Sequence, residues 1–201
     1  MLKGGVTACL VLLLLSALPH PAPAASSPPY LLTPAEMAAL RDYEGKYALE
    51  AVNYVPGRPI LRVVKHIAGK RGGKYSGNNW SVFEHFVKFV NGPPDYVAIE
   101  QNRYLIGSGC RQHSCSEKTA FVVDLQTGHL AFALLHYFTA ENRYLDSGPA
   151  LTQFMKTCAN RELRTFAAVR FKSWAEGELA RYKYRIEILD EAEGKTLTTA
   201  C

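Results

Sequence analysis

The chain has 201 residues, 48% of them hydrophobic and 20% charged, with a formal net charge of +5 at pH 7. That length fits a single domain, and there is no internal repeat and no low-complexity segment beyond the leader. The charge is mild and no dense Lys/Arg run occurs, so nothing marks a nucleic-acid binder; the most basic stretch, Lys65 to Lys74, reads as a solvated loop.

Met1-Leu2-Lys3 supplies one positive charge, Ala8 to Leu18 is apolar apart from Ser16, and Ala22-Pro23-Ala24 places small residues at −3 and −1. This predicts a secretory signal peptide over 1–24, cut after Ala24. The apolar run is too short to span a bilayer. Val6-Thr7-Ala8-Cys9 has the letters of a lipoprotein box but precedes the hydrophobic core, and is rejected on that ground. No second long apolar run follows, so no membrane span and a soluble mature protein are expected. Loss of Lys3 leaves 22 basic against 18 acidic residues, a net charge of +4. Export also argues against a nucleic-acid partner.

Residues 25–32, with Ser26-Ser27-Pro28-Pro29, read as a linker, and 33–201 as the domain. Thr33-Pro34-Ala35-Glu36 opens a helix: Thr33 caps, Pro34 fits the first turn and Glu36 completes a capping box. Met37, Leu40, Tyr43 and Tyr47 then recur at helical spacing, with Gly45 weakening or ending the helix. Tyr47 to Val55 and Ile60 to Ile67 are apolar runs of ambiguous period, split by Pro56-Gly57-Arg58-Pro59; of the two, Ile60 to Ile67 is the better strand candidate. Gly69 to Asn79, with four glycines and two asparagines, is a loop. Ser81 with Glu84 three residues on caps a second helix, whose Val82, Phe83, Phe86, Val87 and Val90 form one apolar stripe destined for the core. Asn91-Gly92-Pro93-Pro94 stops it.

β signals then dominate. Tyr96 to Ile99, Tyr104 to Ile106, Thr119 to Leu125 and His129 to Tyr137 are predicted strands, with turns at Gln101-Asn102 and Gln126-Thr127-Gly128. Their short gaps make an antiparallel meander. His129 and His136 are expected at the surface without a role. Pro149 to Cys158 resembles a helix with Leu151, Phe154 and Met155 on one side. Phe166 to Phe171 is apolar and Trp174 to Ala180 mixed, with no clear assignment. Tyr182 to Ile188 alternates as a final strand, and Asp190 to Gly194 is a turn. The fold class is therefore α+β, a central antiparallel β-sheet flanked by helices in one domain.

Cleavage of the leader removes Cys9 and leaves Cys110, Cys115, Cys158 and Cys201. Four cysteines in an exported chain imply two disulfides, with three pairings open; Cys110–Cys115 is the local choice, leaving Cys158–Cys201 to tie down the C-terminal end. On the loop-entropy model the short bridge contributes about 2 kcal/mol and the long one about 4. The short bridge thus shapes Arg111-Gln112-His113-Ser114, four donor-bearing residues between two apolar strands, more than it stabilises the whole. A tip of this kind is either an ordinary disulfide-closed turn or a preorganised prong complementary to a site with two carboxylates, such as the pair that flanks the scissile bond in glycoside hydrolases.

Motifs for catalysis are missing: there is no Gly-x-Ser-x-Gly, no His-Glu-x-x-His and no phosphate-binding glycine loop, and Glu84, Glu100 and Asp124 could meet only through tertiary folding. No catalytic residue and no cofactor is assigned, and the chain is read as a non-enzyme. Zinc on Cys110, His113 and Cys115 is disfavoured, because thiolates and an imidazole within six residues suit tetrahedral geometry poorly and an oxidising compartment favours the disulfide.

The segment from Tyr104 through Cys110-Arg111-Gln112-His113-Ser114-Cys115 to Phe121-Val122-Val123 and Ala131 to Leu135 resembles the Ivy family, inhibitors of vertebrate-type lysozyme. The resemblance implies a periplasmic α+β protein, often a homodimer, whose disulfide-closed loop inserts its histidine against the catalytic acids of the enzyme. By that resemblance His113 is the inserting residue, Cys110 and Cys115 hold the loop, and the partner is a lysozyme or a lytic transglycosylase acting on peptidoglycan. The family loop usually has Asp directly after the histidine, where this chain has Ser114, and a net charge of +4 gives no long-range attraction to a cationic lysozyme. The alternatives are a non-inhibitory envelope binding module of the same fold and an enzyme with an unrecognised site.

Overall fold

The computed structural model describes residues 27–72, 80–140, 143–156, 158–180 and 187–189. The expected leader, the first two linker residues, most of the loop from Gly69 to Asn79, most of the strand expected over Tyr182 to Ile188, the turn at 190–194 and Cys201 lie outside them. Helix α1, Pro34–Arg41, starts as its sequence dictates: the Thr33 hydroxyl accepts from Glu36 N–H, and Glu36 reaches back to Thr33 N–H at 2.8 Å. Helix α2 is Ala48–Asn53 and α3 is Pro59–Ala68. The strand expected at Ile60 to Ile67 is therefore a helix. Ile60, Val63, Val64, Ile67 and Ala68 are buried at i, i+3, i+4, i+7, i+8, and Pro59 occupies the first turn. Helix α4, Val82–Val90, carries the expected Ser81/Glu84 capping box. Its most buried side is formed by Val82, His85, Phe86, Phe89 and Val90, with Phe83 and Val87 only partly covered.

Strands β1 (Ala98–Glu100), β2 (Tyr104–Arg111), β3 (Ser114–Asp124), β4 (Leu130–Ala140) and β5 (Arg143–Met155) form an antiparallel meander in sequential order, and a short β6, Glu187–Leu189, adds to β5 in parallel. The β1–β2 turn holds Gln101 and Asn102 at φ 54° and 52°. Pro149 to Cys158 is not a helix. Residues up to Met155 belong to β5, with Leu151 and Met155 packed on one side of the sheet and Phe154 on the other. A strand buried on both faces loses alternation, so its apolar residues imitate helical spacing. Helix α5, Arg161–Ala180, gathers the apolar Phe166 to Phe171 and the mixed Trp174 to Ala180 segments, which the sequence left unassigned.

Helices α2, α3 and α4 pack on one face of the sheet, and α5 on the other. The first core joins Phe86, Phe89, Phe121, Phe132 and Phe154, with Phe132 stacked on Phe154 at 4.8 Å. Each such ring contributes roughly 1.5–3 kcal/mol by leaving water. The second core joins Val122, Ala133, Leu135 and Leu151 to Leu163, Ala167 and Phe171 of α5. Asp124 pins the β3–β4 turn: its carboxylate accepts from Arg103, Gln126 N–H, Thr127 and Asn160. Burial alone would raise its pKa, but these donors outweigh burial and hold it well below the usual carboxylate range.

Candidate partner-binding hairpin

At the end of the sheet opposite Asp124, β2 and β3 run into a two-residue turn. Arg111 pairs with Ser114, leaving Gln112 and His113 exposed at the tip. His113 has φ 65°, and Gln112 does not share that conformation, the pattern of a type II turn. Histidine is among the non-glycine residues that tolerate this region best, at about 1 kcal/mol. Cys110 and Cys115 close the turn with a disulfide, their Cα atoms 4.8 Å apart. Cys110 is buried and Cys115 exposed, so the bridge runs from the sheet outward.

The register explains how the strands accommodate the bridge. Cys110 pairs with Lys118, whereas Arg111 pairs with Ser114, so Cys115, Ser116 and Glu117 have no opposite residue on β2. This bulge turns Glu117 inward. Its side chain is fully buried and accepts from Arg111 Nη1 at 2.5 Å, while its Oε1 has no hydrogen-bond partner. A buried carboxylate needs its cation, so this pair fixes Arg111 and with it the base of the tip. Ser114 is half-buried with its hydroxyl 3.3 Å from that of Ser116.

The opposite flank is set by the segment after α4. Cys110 N–H donates to the Pro93 carbonyl at 3.2 Å, and Asp95 N–H to the Ser108 carbonyl at 2.9 Å. Gly92 lies against the tip backbone so closely that a Cβ there would stand 1.9 Å from the Cys110 carbonyl oxygen and 2.7 Å from Gln112 N. Only glycine fits. The hairpin is thus braced by a disulfide, a buried ion pair and a glycine contact, and its exposed end is Gln112-His113.

Under the tip lie two buried histidines. His85, on α4, is held by the Ser81 carbonyl at Nδ1, 2.8 Å away; burial lowers its pKa, and nearby Arg111 adds to that. His136, on β4, is buried, not at the surface as expected, and its Nε2 is 2.9 Å from Thr152 Oγ1. Its parity explains the error: it shares the helix-facing side of β4 with Phe132 and Leu134. Burial pushes its pKa down to about 3. His129 is half-buried beside Thr127.

The scattered acids do not assemble. Glu84 caps α4, Glu100 pairs with Arg170 and Asp124 with Arg103. Among the described residues no cluster of three or more His, Cys, Asp or Glu side chains could hold a metal, and no helix is long and apolar enough to cross a membrane. Cys158 is disulfide-bonded, and its expected partner Cys201 lies outside the described residues. Sequence reasoning missed Glu117 and Gly92. The signal for Gly92 was present, a glycine next to Pro93-Pro94 just before a closed hairpin; Glu117 gave none, because its inward turn depends on the bulge.

No curated protein and no solved structure matches the chain. The model of the family "Inhibitor of vertebrate lysozyme (Ivy)" does, over a stretch wider than the loop and its flanking strands. The match covers residues 77–160, which carry α4, the meander from β1 to β5 and the Cys110–Cys115 hairpin, so over that stretch the chain is similar to the Ivy family.

Proposed function

We propose that this chain is a periplasmic, non-catalytic inhibitor of lysozyme or of a related peptidoglycan-cleaving glycosidase such as a lytic transglycosylase, acting by occlusion of the active-site cleft. Arg111, Gln112, His113 and Ser114 form the inhibitory loop, Cys110–Cys115 closes it, and a Cys158–Cys201 bridge ties down the tail. The observation that carries the reading is the exposed His113 at the end of a disulfide-closed turn, within the segment that matches a lysozyme-inhibitor family. An imidazole held there can donate to, or accept a proton from, one of a pair of carboxylates. Closure before docking lowers the entropy cost of insertion.

The test is inhibition of cell-wall lysis by a vertebrate lysozyme and by lytic transglycosylases, with wild type, His113→Ala and the double variant Cys110→Ser/Cys115→Ser. A central anchor is worth about 2–4 kcal/mol, so His113→Ala should raise the inhibition constant roughly 30- to 1000-fold. Unchanged inhibition of every enzyme by His113→Ala would refute the mechanism. Light scattering on the purified mature chain tests the homodimer that the family resemblance implies.

Ser114 in place of the family's Asp, together with the positive net charge, favours a second reading, a non-inhibitory envelope binding module of the same fold. Recovery of only non-glycosidase partners from periplasmic extract would select it.

A further inference from the structure

Beside the tip is a cavity of about 370 Å³ whose walls are the hairpin end (Arg111, Gln112, His113) and the outer side of α4 with its approach (Trp80, Lys88, Asn91). These groups share one chemistry. Among the described residues no carboxylate lines the cavity. Lys88 Nζ lies 4.6 Å from the Trp80 ring centre, and the Arg111 guanidinium carbon 5.1 Å from the same centre. The indole thus holds two cationic groups close by and limits their motion; with the Arg111 charge offset by Glu117, Lys88 supplies the net positive charge of the cleft. The nearest acids are committed elsewhere: Glu84 Oε2 accepts from Ser81 N–H at 2.7 Å and from its hydroxyl at 2.9 Å, and Glu117 is buried under Arg111. Asn91 Oδ1 accepts from Asn53 Nδ2 at 2.9 Å, which leaves the Asn91 amide nitrogen as the group offered to a ligand. Lys88 and Asn91 are exposed, one turn apart on the same side of α4.

We propose that this cleft receives an acidic side chain of the partner, an Asp or Glu at the rim of the glycosidase's active-site groove, as a second contact beside the His113 insertion. The inference rests on the inhibitor reading above. Lys88 is its principal residue, Asn91 donates a hydrogen bond, and Trp80 positions the cations. The cleft acts at short range, where local complementarity decides orientation even between two proteins of the same net charge.

The experiment measures Kd and association rate of the mature protein with a vertebrate lysozyme at low and high salt. The variants are Lys88→Ala, Lys88→Glu, Lys88→Arg and His113→Ala, each checked for an unchanged thermal midpoint. Lys88→Ala should weaken binding about tenfold and flatten the salt dependence, Lys88→Glu should weaken it further, and Lys88→Arg should restore most of it. Single acid-to-Ala changes along the lysozyme groove should include one whose effect disappears in the Lys88→Ala background. If His113→Ala loses binding while Lys88→Ala and Lys88→Glu match wild type at both salts, the cleft contact is overturned and the inhibitor reading stands. If wild type binds neither the lysozyme nor, in the same assay, any lytic transglycosylase, both fall. If Lys88→Glu weakens binding but His113→Ala does not, the cleft contact holds and the insertion mechanism falls.

Discussion

Acidification should destabilise this domain before most of its carboxylates titrate, and His136 is the reason. The ring is fully buried on the side of β4 that carries Phe132 and Leu134, with Thr152 as a neutral partner at Nε2. Burial lowers its pKa from an ordinary value near 6.5 to about 3. The folded state therefore binds fewer protons than the unfolded chain between these two values, so the stabilisation is complete above the unfolded pKa and is lost as pH falls toward 3. One group with this gap gives a slope near 1.4 kcal/mol per pH unit, or about 2.5 kcal/mol between pH 6.5 and 4.5. His85, also lowered by burial, adds in the same direction. Urea titrations followed by circular dichroism, disulfides kept oxidised, should show the midpoint falling across that window with an unchanged slope. In His136→Gln, which keeps a polar group toward Thr152, about 2.5 kcal/mol of the pH dependence should vanish, whatever the variant costs at neutral pH. Equal losses in wild type and His136→Gln between pH 6.5 and 4.5 would show that the ring already carries its proton in the folded state, and the reasoning would fail.

Two further outcomes follow from the bracing of the hairpin. Gly92→Ala places a methyl group 1.9 Å from the Cys110 carbonyl oxygen, a clash with backbone that only displacement of the tip relieves. It should cost about 1–3 kcal/mol in thermal or urea unfolding and weaken lysozyme inhibition disproportionately. Arg111→Ala leaves Glu117 buried without its cation, with an expected loss of about 3 kcal/mol. The double variant Arg111→Met/Glu117→Leu should recover most of that in unfolding assays; failure to recover would assign the loss to the Arg111 stem and its contact with Trp80.

Local chemistry was legible in the sequence wherever a backbone group met a nearby side chain. The Thr33/Glu36 and Ser81/Glu84 boxes, the Gln101-Asn102 turn and the order of β1 to β4 all depend on contacts within a few residues. Ile60 to Ile67 misled because β-branched residues favour strands in isolation, while here their spacing against α2 and α4 decides for a helix. β5 misled for the opposite reason. Its core neighbours cover both faces, so the period-2 signal is erased, and Pro149 is tolerated opposite Tyr137, where the register with β4 shifts. The tip itself was readable from Cys110, His113 and Cys115. What supports it was not, because Glu117, Gly92, Trp80 and Lys88 reach it only through the bulge in β3 and the docking of α4.

That division has a physical cause, which bears on how the prong works. An exposed histidine on a two-residue turn would sample many orientations if the turn were tied only to its own strands. Here the constraints come from three directions: the disulfide joins the two strands, Glu117 holds Arg111 from below, and Gly92 presses on the Cys110–Gln112 backbone from the side. Two of the three come from residues outside the Cys110–Cys115 ring. A synthetic cyclic peptide spanning Cys110 to Cys115 would keep the disulfide and lose Glu117, Gly92 and the Lys88 cleft. It should inhibit a lysozyme at least 100-fold less well than the whole protein, since preorganisation and flanking contacts supply affinity that the ring alone lacks. Comparable inhibition by the peptide would mean that the disulfide alone shapes the tip, and that α4 and the β3 bulge serve the fold without serving the site.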